Sequence, residues 1–296
     1  MLLLKLLSRL PLRVLYLISD FIFVIGFYIL RYRRTIIQTN LKKSFPGKSM
    51  DELRLLEKAF FRNLCDYPIE TLKLLTMSND EVLRRMNYRN PEVIESLAKQ
   101  GQSMIYLTSH QFNWEWLLAG ACLNTTPPLY YVYQAQSSRF FDDFSNRIRQ
   151  RFGAQPIKRE NVGREAIKRK GTLHSLALLA DQFPGLDHDK RHWTTFLHQD
   201  TAFFQGINQL AIITQYPVIF FVSRKIKRGY YECELIKIAG PPYAKNDFRI
   251  VENYVRATEK IIRDQPEGWL WSHDRWKKTR EEMNDELRMT NEGGNR

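Results

Sequence analysis

The chain has 296 residues, 44% of them hydrophobic and 26% charged, a composition that allows a buried core and excludes an intrinsically disordered protein. Its formal net charge of +13 favours polyanionic partners, among them nucleic acid, anionic membrane, a phosphorylated lipid and an acidic carrier protein. The three cysteines, Cys65, Cys122 and Cys233, form no C-x-x-C pair and no disulfide framework, which favours a reducing compartment.

An apolar run near the N-terminus, residues 14–30, contains one charged residue, Asp20. As a helix it is about 26 Å long, close to the ~30 Å hydrocarbon core of a bilayer. No signal-peptidase cleavage site follows it, so it predicts a membrane helix, and a buried core helix is the alternative. More basic residues follow the run than precede it, which places the next domain in the cytoplasm.

The rest of the chain alternates between two kinds of hydrophobic pattern. Helical spacing predicts helices at residues 50–75, 91–101, 114–123, 138–152, 163–170, 206–214 and 246–263. Short apolar runs predict strands at residues 103–108, 129–133, 173–180, 218–226 and 230–238. This alternation predicts an α/β fold, in which helices flank a mixed, mostly parallel sheet. We therefore expect an anchor at residues 1–35, a catalytic domain at 36–278 and a charged tail at 279–296.

The segment SHQFNWEW, residues 109–116, carries the strongest chemical signal. His110 directly follows a predicted strand, and Glu115 lies five residues later in the first turn of a predicted helix. With His110 in the turn, the two side chains can meet, and a carboxylate on one imidazole nitrogen leaves the other nitrogen free as a base. Such a dyad can deprotonate an alcohol. A solvated histidine beside a glutamate at a helix N-terminus is the alternative.

The same segment resembles the signature of the bacterial lipid A biosynthesis acyltransferases of the lauroyl and myristoyl type. Further similar motifs occur in the same order, so that the resemblance covers residues 10 to about 278. They are RYRRTIIQTNLKKSFPGKS, VYQ, LLADQFPG, AFFQG and PEGWLWSHDRWK.

The resemblance implies a glycerolipid-acyltransferase-like fold and an enzyme that needs no cofactor or metal. Members move an acyl chain from acyl carrier protein to a hydroxyl of a phosphorylated lipid A precursor, at the cytoplasmic face of the inner membrane. It implies that His110 is the general base and that Glu115 orients it. Arg147 becomes the catalytic arginine of the helix after the VY strand, with Arg149 nearby.

The remaining candidates bind substrate. Asp181 ends a predicted strand and matches an acidic residue near the family site, although a helix cap or loop hydrogen bond is the alternative. Backbone amides at the helix start beside Asn113 are candidates for the oxyanion site. Where family members commonly carry arginine, this chain has Gln134, and Arg139, Arg159 and Arg164 are candidates to replace that contact.

Three alternatives stay open. In the first, the chain shares only the base chemistry with the family, and its acceptor is another membrane lipid, such as an aminolipid or a glycolipid. A membrane-tethered nucleic-acid-binding protein fits the charge, but no recognised motif supports it, and we expect no nucleic-acid partner. His188 and His192 have the four-residue spacing of a helical metal pair, but Gly185 precedes them and no third ligand has matching spacing, so we expect no metal.

Overall fold

A computed structural model describes residues 2–186 and 189–283 of the chain. In these residues the helices are α1 (Leu2–Ser8), α2 (Leu12–Val24), α3 (Arg34–Ser44), α4 (Met50–Lys73), α5 (Asn79–Arg85), α6 (Glu92–Lys99), α7 (Trp114–Asn124), α8 (Arg139–Gln150), α9 (Val162–Lys168), α10 (Gly206–Thr214) and α11 (Arg249–Asp264). The strands are β1 (Met86–Tyr88), β2 (Met104–Thr108), β3 (Leu129–Tyr133), β4 (Gln155–Lys158), β5 (Ser175–Leu179), β6 (Arg191–Phe196), β7 (Gln199–Phe204), β8 (Val218–Lys227) and β9 (Tyr230–Ala239). A π-helical turn, Ile25–Ile29, continues α2.

Seven of these strands form one sheet in the order β1-β9-β8-β2-β5-β3-β4. All neighbours in this sheet run parallel except β8 and β9, which are antiparallel. Strands β6 and β7 form a separate antiparallel hairpin. The predicted α/β architecture with a mixed, mostly parallel sheet is therefore confirmed.

Alternating side chains of the central strands supply two separate apolar layers. Tyr106 of β2 packs with Trp116 of α7 on one face of the sheet, while Leu107 packs with Tyr254 of α11 on the other. Successive residues of a strand point to opposite faces, so a strand with helices on both sides is apolar throughout. The resulting sandwich leaves the carboxyl ends of the strands as the place where loops converge.

The elements absent from the prediction are short or polar. Strands β1 and β4, at the two edges of the sheet, have three and four residues, too few for a periodic pattern. The β6–β7 hairpin carries Arg191, His192 and Asp200 within its strands, so it lacks the apolar run from which the other strands were predicted. Helices α3 and α5 were not predicted either. Residues 284–296 of the predicted tail lie outside the described residues.

The predicted membrane helix corresponds to α2 and its π-helical turn. Among the described residues, Leu12–Ile29 is the one helical segment long and apolar enough, by length and composition, to cross a membrane. One side of it is buried against α4, including Leu15 and Phe23, while the other side exposes residues such as Leu17 and Phe21. The segment is thus neither a wholly buried core helix nor separate from the rest of the fold.

Candidate active site

The site begins where two neighbouring parallel strands end. Thr108 of β2 pairs with Leu179 of β5, so the residues just beyond them lie side by side. His110 follows the first strand, and Asp181 follows the second. The Nδ1 atom of His110 lies 2.7 Å from Oδ1 of Asp181, and the backbone N–H of His110 donates to Oδ2 at 2.9 Å. Adjacent strand ends therefore hold a histidine and an aspartate in contact.

Asp181 is almost completely buried and is held as a carboxylate. The indole N–H of Trp269 donates to its Oδ2 at 2.7 Å, which adds to the two bonds from His110. Burial alone raises the pKa of Asp181, but the charge and hydrogen bonds of His110 and the bond from Trp269 lower it to about 2. An ionised carboxylate only accepts hydrogen bonds, so it selects the tautomer of His110 that is protonated at Nδ1.

The other imidazole nitrogen faces an open cavity. Nε2 of His110 lies 3.3 Å from the side-chain amide nitrogen of Gln182, and His110 and Gln182 both line the cavity. The ring of Trp114 contacts the imidazole edge-on, with centroids 5.1 Å apart. Because Asp181 occupies Nδ1, Nε2 is the accepting nitrogen, and a proton donor in the cavity would take the place of the Gln182 amide there.

Glu115 occupies a different position from the one predicted. Its carboxylate accepts from Arg149 Nε at 3.0 Å and Nη2 at 2.6 Å, and from the Tyr67 hydroxyl at 3.4 Å. The hydrogen bonds of His110 go instead to Asp181 and Gln182. The expected His110–Glu115 contact is corrected, because α8 brings a guanidinium to Glu115 while the β5 end brings a carboxylate to His110.

The Glu115–Arg149 pair gives a test of what Glu115 does. Replacing Glu115 by glutamine is expected to lower the free energy of unfolding by about 3 kcal/mol, because a largely buried guanidinium loses its counterion. Chemical denaturation measures this loss. The double change Glu115→Leu with Arg149→Met should recover most of it, since apolar pairs often replace buried ion pairs without loss. A double variant as unstable as Glu115→Gln would contradict this account.

Asn113, predicted near the substrate, caps a helix. Its side-chain oxygen accepts from the backbone N–H groups of Glu115 and Trp116 at 3.0 and 3.1 Å, and its amide donates to Glu70 at 3.0 Å. The residue is fully buried and does not line the cavity. The expectation of an oxyanion site here is therefore revised, because the side chain of Asn113 already satisfies these two amides.

The predicted arginines separate by their position on the helices. Arg147 is exposed on α8, while Arg149, two residues later and about 200° around the helix, turns toward Glu115. Arg164 on α9 is exposed and does not line the cavity. Arg159 does line it and pairs with Asp189 at 2.5 Å, near Gln134 at the mouth. The structure thus puts Arg149 and Arg159, rather than Arg147 and Arg164, at the cavity.

The cavity has a volume of about 1020 Å³, and its lining is partly polar and partly apolar. Its mouth is polar, with Gln134, Arg159 and Lys190, and His110 lies on its wall. The part of the cavity between α7 and the sheet has an apolar lining. This part is lined by Tyr106, Leu117, Leu118, Ala121, Leu129, Tyr131 and Phe221. An elongated apolar group with a reactive polar end fits this shape.

Several residues of the site had no distinct signal in the sequence. Trp269 entered only as part of the motif PEGWLWSHDRWK, and Tyr67 and Gln182 were not singled out. Trp269 reaches Asp181 because the loop containing it pairs with the active-site turn, where Phe112 N–H donates to Gly268 O at 3.0 Å. Only the PEGW motif around Trp269 could have indicated its place, through the family resemblance.

The described residues contain no group of three or more His, Cys, Asp or Glu side chains able to hold a metal ion. His192 bonds to Glu252 at 2.6 Å and stacks on Phe248. His188, the other member of the conceivable metal pair, lies outside the described residues.

Comparison with known protein families identifies a match over most of the chain. The family model described as bacterial lipid A biosynthesis acyltransferase matches residues 1–278. No curated protein sequence matches the chain. The matched region includes His110, Glu115, Arg149 and Asp181, and it extends over the whole cavity lining.

Proposed function

The chain belongs to the bacterial lipid A biosynthesis acyltransferase family, and from this premise we propose its substrates and mechanism. It is an acyltransferase that takes a fatty acyl chain from an acyl carrier protein thioester and attaches it to a hydroxyl of a phosphorylated lipid A precursor. One observation carries this proposal: His110 exposes Nε2 to the cavity while Asp181 holds Nδ1 at 2.7 Å.

His110 acts as the general base. Its Nε2 takes the proton of the acceptor hydroxyl as the oxygen attacks the thioester carbonyl, forming a tetrahedral intermediate. Collapse of that intermediate breaks the carbon–sulfur bond, and the leaving thiolate takes the proton from the imidazolium. The Asp181 carboxylate stabilises the positive charge on His110 between these steps, as in other histidine–aspartate pairs.

Arg149 supplies positive charge to the cavity. Two of its nitrogens bind Glu115, and its third, Nη1, has no hydrogen bond to any residue in the described chain. Burial alone lowers the pKa of Arg149, but the charge of Glu115 raises it above the usual value, so the guanidinium stays charged. Nη1 is therefore our candidate to bind the carbonyl oxygen as negative charge develops on it. Glu115 keeps Arg149 in place instead of orienting His110.

The apolar part of the cavity is proposed to hold the acyl chain. Ala121 on α7 lines it together with Leu129 and Tyr106, all of them nearly fully buried. Each methylene that enters an apolar site contributes about 0.8 kcal/mol, about fourfold in affinity. The depth of this space therefore sets which chain length the enzyme prefers.

Replacing Ala121 by leucine is expected to shift the preference toward donors shorter by a few carbons. The larger side chain fills part of the cavity and excludes methylenes, each lowering kcat/KM for long donors by about fourfold. Competition between donors of mixed chain length, followed by mass spectrometry, measures the shift. Ala119→Leu is the matched control, since Ala119 is equally buried on α7 but does not line the cavity. Equal profiles for both variants would exclude this cavity as the acyl site.

The surroundings of the cavity support a phosphorylated lipid at a membrane. Arg159 and Lys190 at the mouth offer positive charge to phosphate, and the net charge of +13 suits an acidic carrier and anionic lipid. We propose an anchor in residues 1–35 and a catalytic domain in residues 36–278. We further propose that this domain faces the cytoplasm at the inner membrane, where the acidic carrier protein is available.

Lipid analysis of cells with and without the gene tests the acceptor. Deletion should remove one secondary acyl chain from lipid A, which lowers its mass by one fatty acyl unit and leaves phospholipids unchanged. Complementation with the wild-type gene should restore the species, and His110→Ala should not. If lipid A were unchanged and an aminolipid or glycolipid species were missing instead, that lipid would be the acceptor, and the proposed lipid A acceptor would be wrong.

A further inference from the structure

We infer that α1, α2 and the π-helical turn lie flat in the surface of one membrane leaflet and do not cross the bilayer. The partner is an anionic phospholipid surface, which contacts a continuous apolar stripe on this segment. The inference rests on the proposed function only in placing the protein at a membrane. It concerns how the chain meets the lipid, and so it stands or falls separately from the reaction.

The stripe is visible in the exposure of successive side chains. Its members are spaced three or four residues apart, and those from Val14 onward share one face of α2 and the π-helical turn, while Leu10 lies in the turn before α2. They are Leu10, Val14, Leu17, Phe21, Val24 and Tyr28, each between 37% and 68% exposed. Helix α1 adds Leu2, Leu3 and Leu6, which are also exposed. The Tyr28 ring contacts Phe27 and Lys58, yet every side chain of this face keeps more than a third of its surface exposed.

The opposite face is fastened to α4 from one end to the other. The Lys73 ammonium donates to the carbonyl of Leu10 at 3.0 Å, and the Tyr16 hydroxyl donates to Glu70 at 2.7 Å. Further along, Ser19 donates to Asp66 at 2.7 Å, and the rings of Phe27 and Phe61 meet at 5.4 Å. As the residue number rises in α2, that of its partner falls in α4. The two helices are therefore antiparallel neighbours over their whole shared length.

An ionic cluster strengthens this attachment. Arg228, in the turn between β8 and β9, donates to both Asp20 of α2 and Asp66 of α4. Asp66 is buried, and Lys225 lies 3.6 Å from it. The one acidic residue of the apolar segment is thus directed toward the protein, away from the stripe. If α2 turned away from the domain, the ion pair between Asp20 and Arg228 would be broken.

This attachment makes a crossing orientation costly. If α2 stood perpendicular to the bilayer, α4 would stand with it, and α4 has 24 residues and a length of about 36 Å. Helix α4 carries Asp51, Arg54 and Arg62 on its exposed surface. Charged side chains in the hydrocarbon core are strongly unfavourable. Lying flat keeps these groups in water while the stripe alone enters lipid.

Basic residues at both ends of the stripe favour an anionic surface. Arg9 and Arg13 flank its beginning, Arg31 follows its end, and all three are exposed. Amphipathic helices that combine an apolar face with basic residues lie in the membrane interface, with the apolar face buried about 5–10 Å into the boundary between headgroups and acyl chains. The same segment is linked to the helix that carries Glu115, because Glu70, bonded to Tyr16, also accepts from Asn113, the residue that caps α7. The lipid surface is thereby placed in a fixed relation to the active site.

Cysteine labelling distinguishes the two orientations. Single cysteines are placed at Leu3 and Tyr32, on either side of the apolar segment, and spheroplasts are treated with a membrane-impermeant maleimide. A flat segment leaves both positions unlabelled until the cells are lysed. A crossing segment exposes one of the two from outside, which would overturn the inference. The unsubstituted protein is the control, because it retains Cys65, Cys122 and Cys233.

A second measurement tests the stripe itself. Leu17→Glu should weaken binding to vesicles of phosphatidylglycerol and phosphatidylethanolamine by about 10-fold, since a leucine leaves the lipid. Ile213→Glu is the matched control, an exposed residue on α10 outside the stripe, and should bind at least five times more tightly than Leu17→Glu. Equal binding by the two variants would overturn the inference. So would a dimer in solution that hides the stripe from lipid.

The two proposals can fail separately. Wild-type lipid A acylation together with external labelling at Leu3 would refute the flat orientation and leave the reaction untouched. Protected ends and stripe-dependent vesicle binding, with no change in lipid A on gene deletion, would uphold the orientation and refute the acceptor.

Discussion

The His110→Ala variant is expected to lose about 10²- to 10⁴-fold of its acyl-transfer turnover, the contribution of a general base. Alanine removes the only group proposed to take the hydroxyl proton, and it leaves the neighbouring Asp181 and Trp269 able to bond each other. Turnover of a purified lipid A precursor with acyl carrier protein thioester measures the effect. Vesicle binding and the circular dichroism spectrum should stay unchanged, because His110 makes no contact with the anchor segment.

His198→Ala is the matched control for this experiment. His198 is an exposed histidine in the turn between β6 and β7, and it does not line the cavity. Its replacement should leave turnover within about twofold of the wild type. A folded His110→Ala enzyme that kept wild-type turnover would rule out His110 as the base.

The Asp181→Asn variant is expected to lose about 10²-fold or more of the turnover. Asp181 accepts three hydrogen bonds, two from His110 and one from Trp269. An asparagine amide accepts at only one of its two ends, so it leaves at least one donor unpaired and permits the wrong tautomer of His110. Glu115→Gln, measured beside it, tests the second carboxylate, which is expected to affect turnover only through the position of Arg149 and to affect stability through the broken ion pair.

The pH dependence of the unfolding free energy gives a second test of Asp181. Its pKa is lowered from the ordinary 3.8 to about 2, so its carboxylate stabilises the folded state fully above about pH 4. That contribution is lost as the pH falls through 2. The difference in unfolding free energy between wild type and Asp181→Asn should therefore shrink between pH 4 and pH 2. Asp247→Asn, in an ion pair with Arg249 outside the cavity, controls for the loss of a carboxylate.

Local patterns in the sequence identified most of the central elements. The predicted strand at residues 129–133 and helix at residues 206–214 agree with β3 and α10 to the residue. Both are bounded by clear signals: an apolar run after Pro127-Pro128 in one, and apolar residues after Gly206 in the other. Periodicity is a local property of the chain, so it can be read before the fold is known. The short edge strands β1 and β4 lack it and were missed.

The sequence by itself determined that His110 and Asp181 each stand just after a buried strand, where α/β proteins carry functional groups. It could not determine that these two strands are neighbours, since strand order arises from long-range packing. The pairing of β2 with β5 therefore decided that Asp181, and not the nearer Glu115, contacts His110. In the same way, the family resemblance pointed to both Arg147 and Arg149 on one helix. Residues two positions apart in a helix point in nearly opposite directions, about 200° from each other. Only the packing of α8 beside α7 therefore decided that Arg149 faces Glu115.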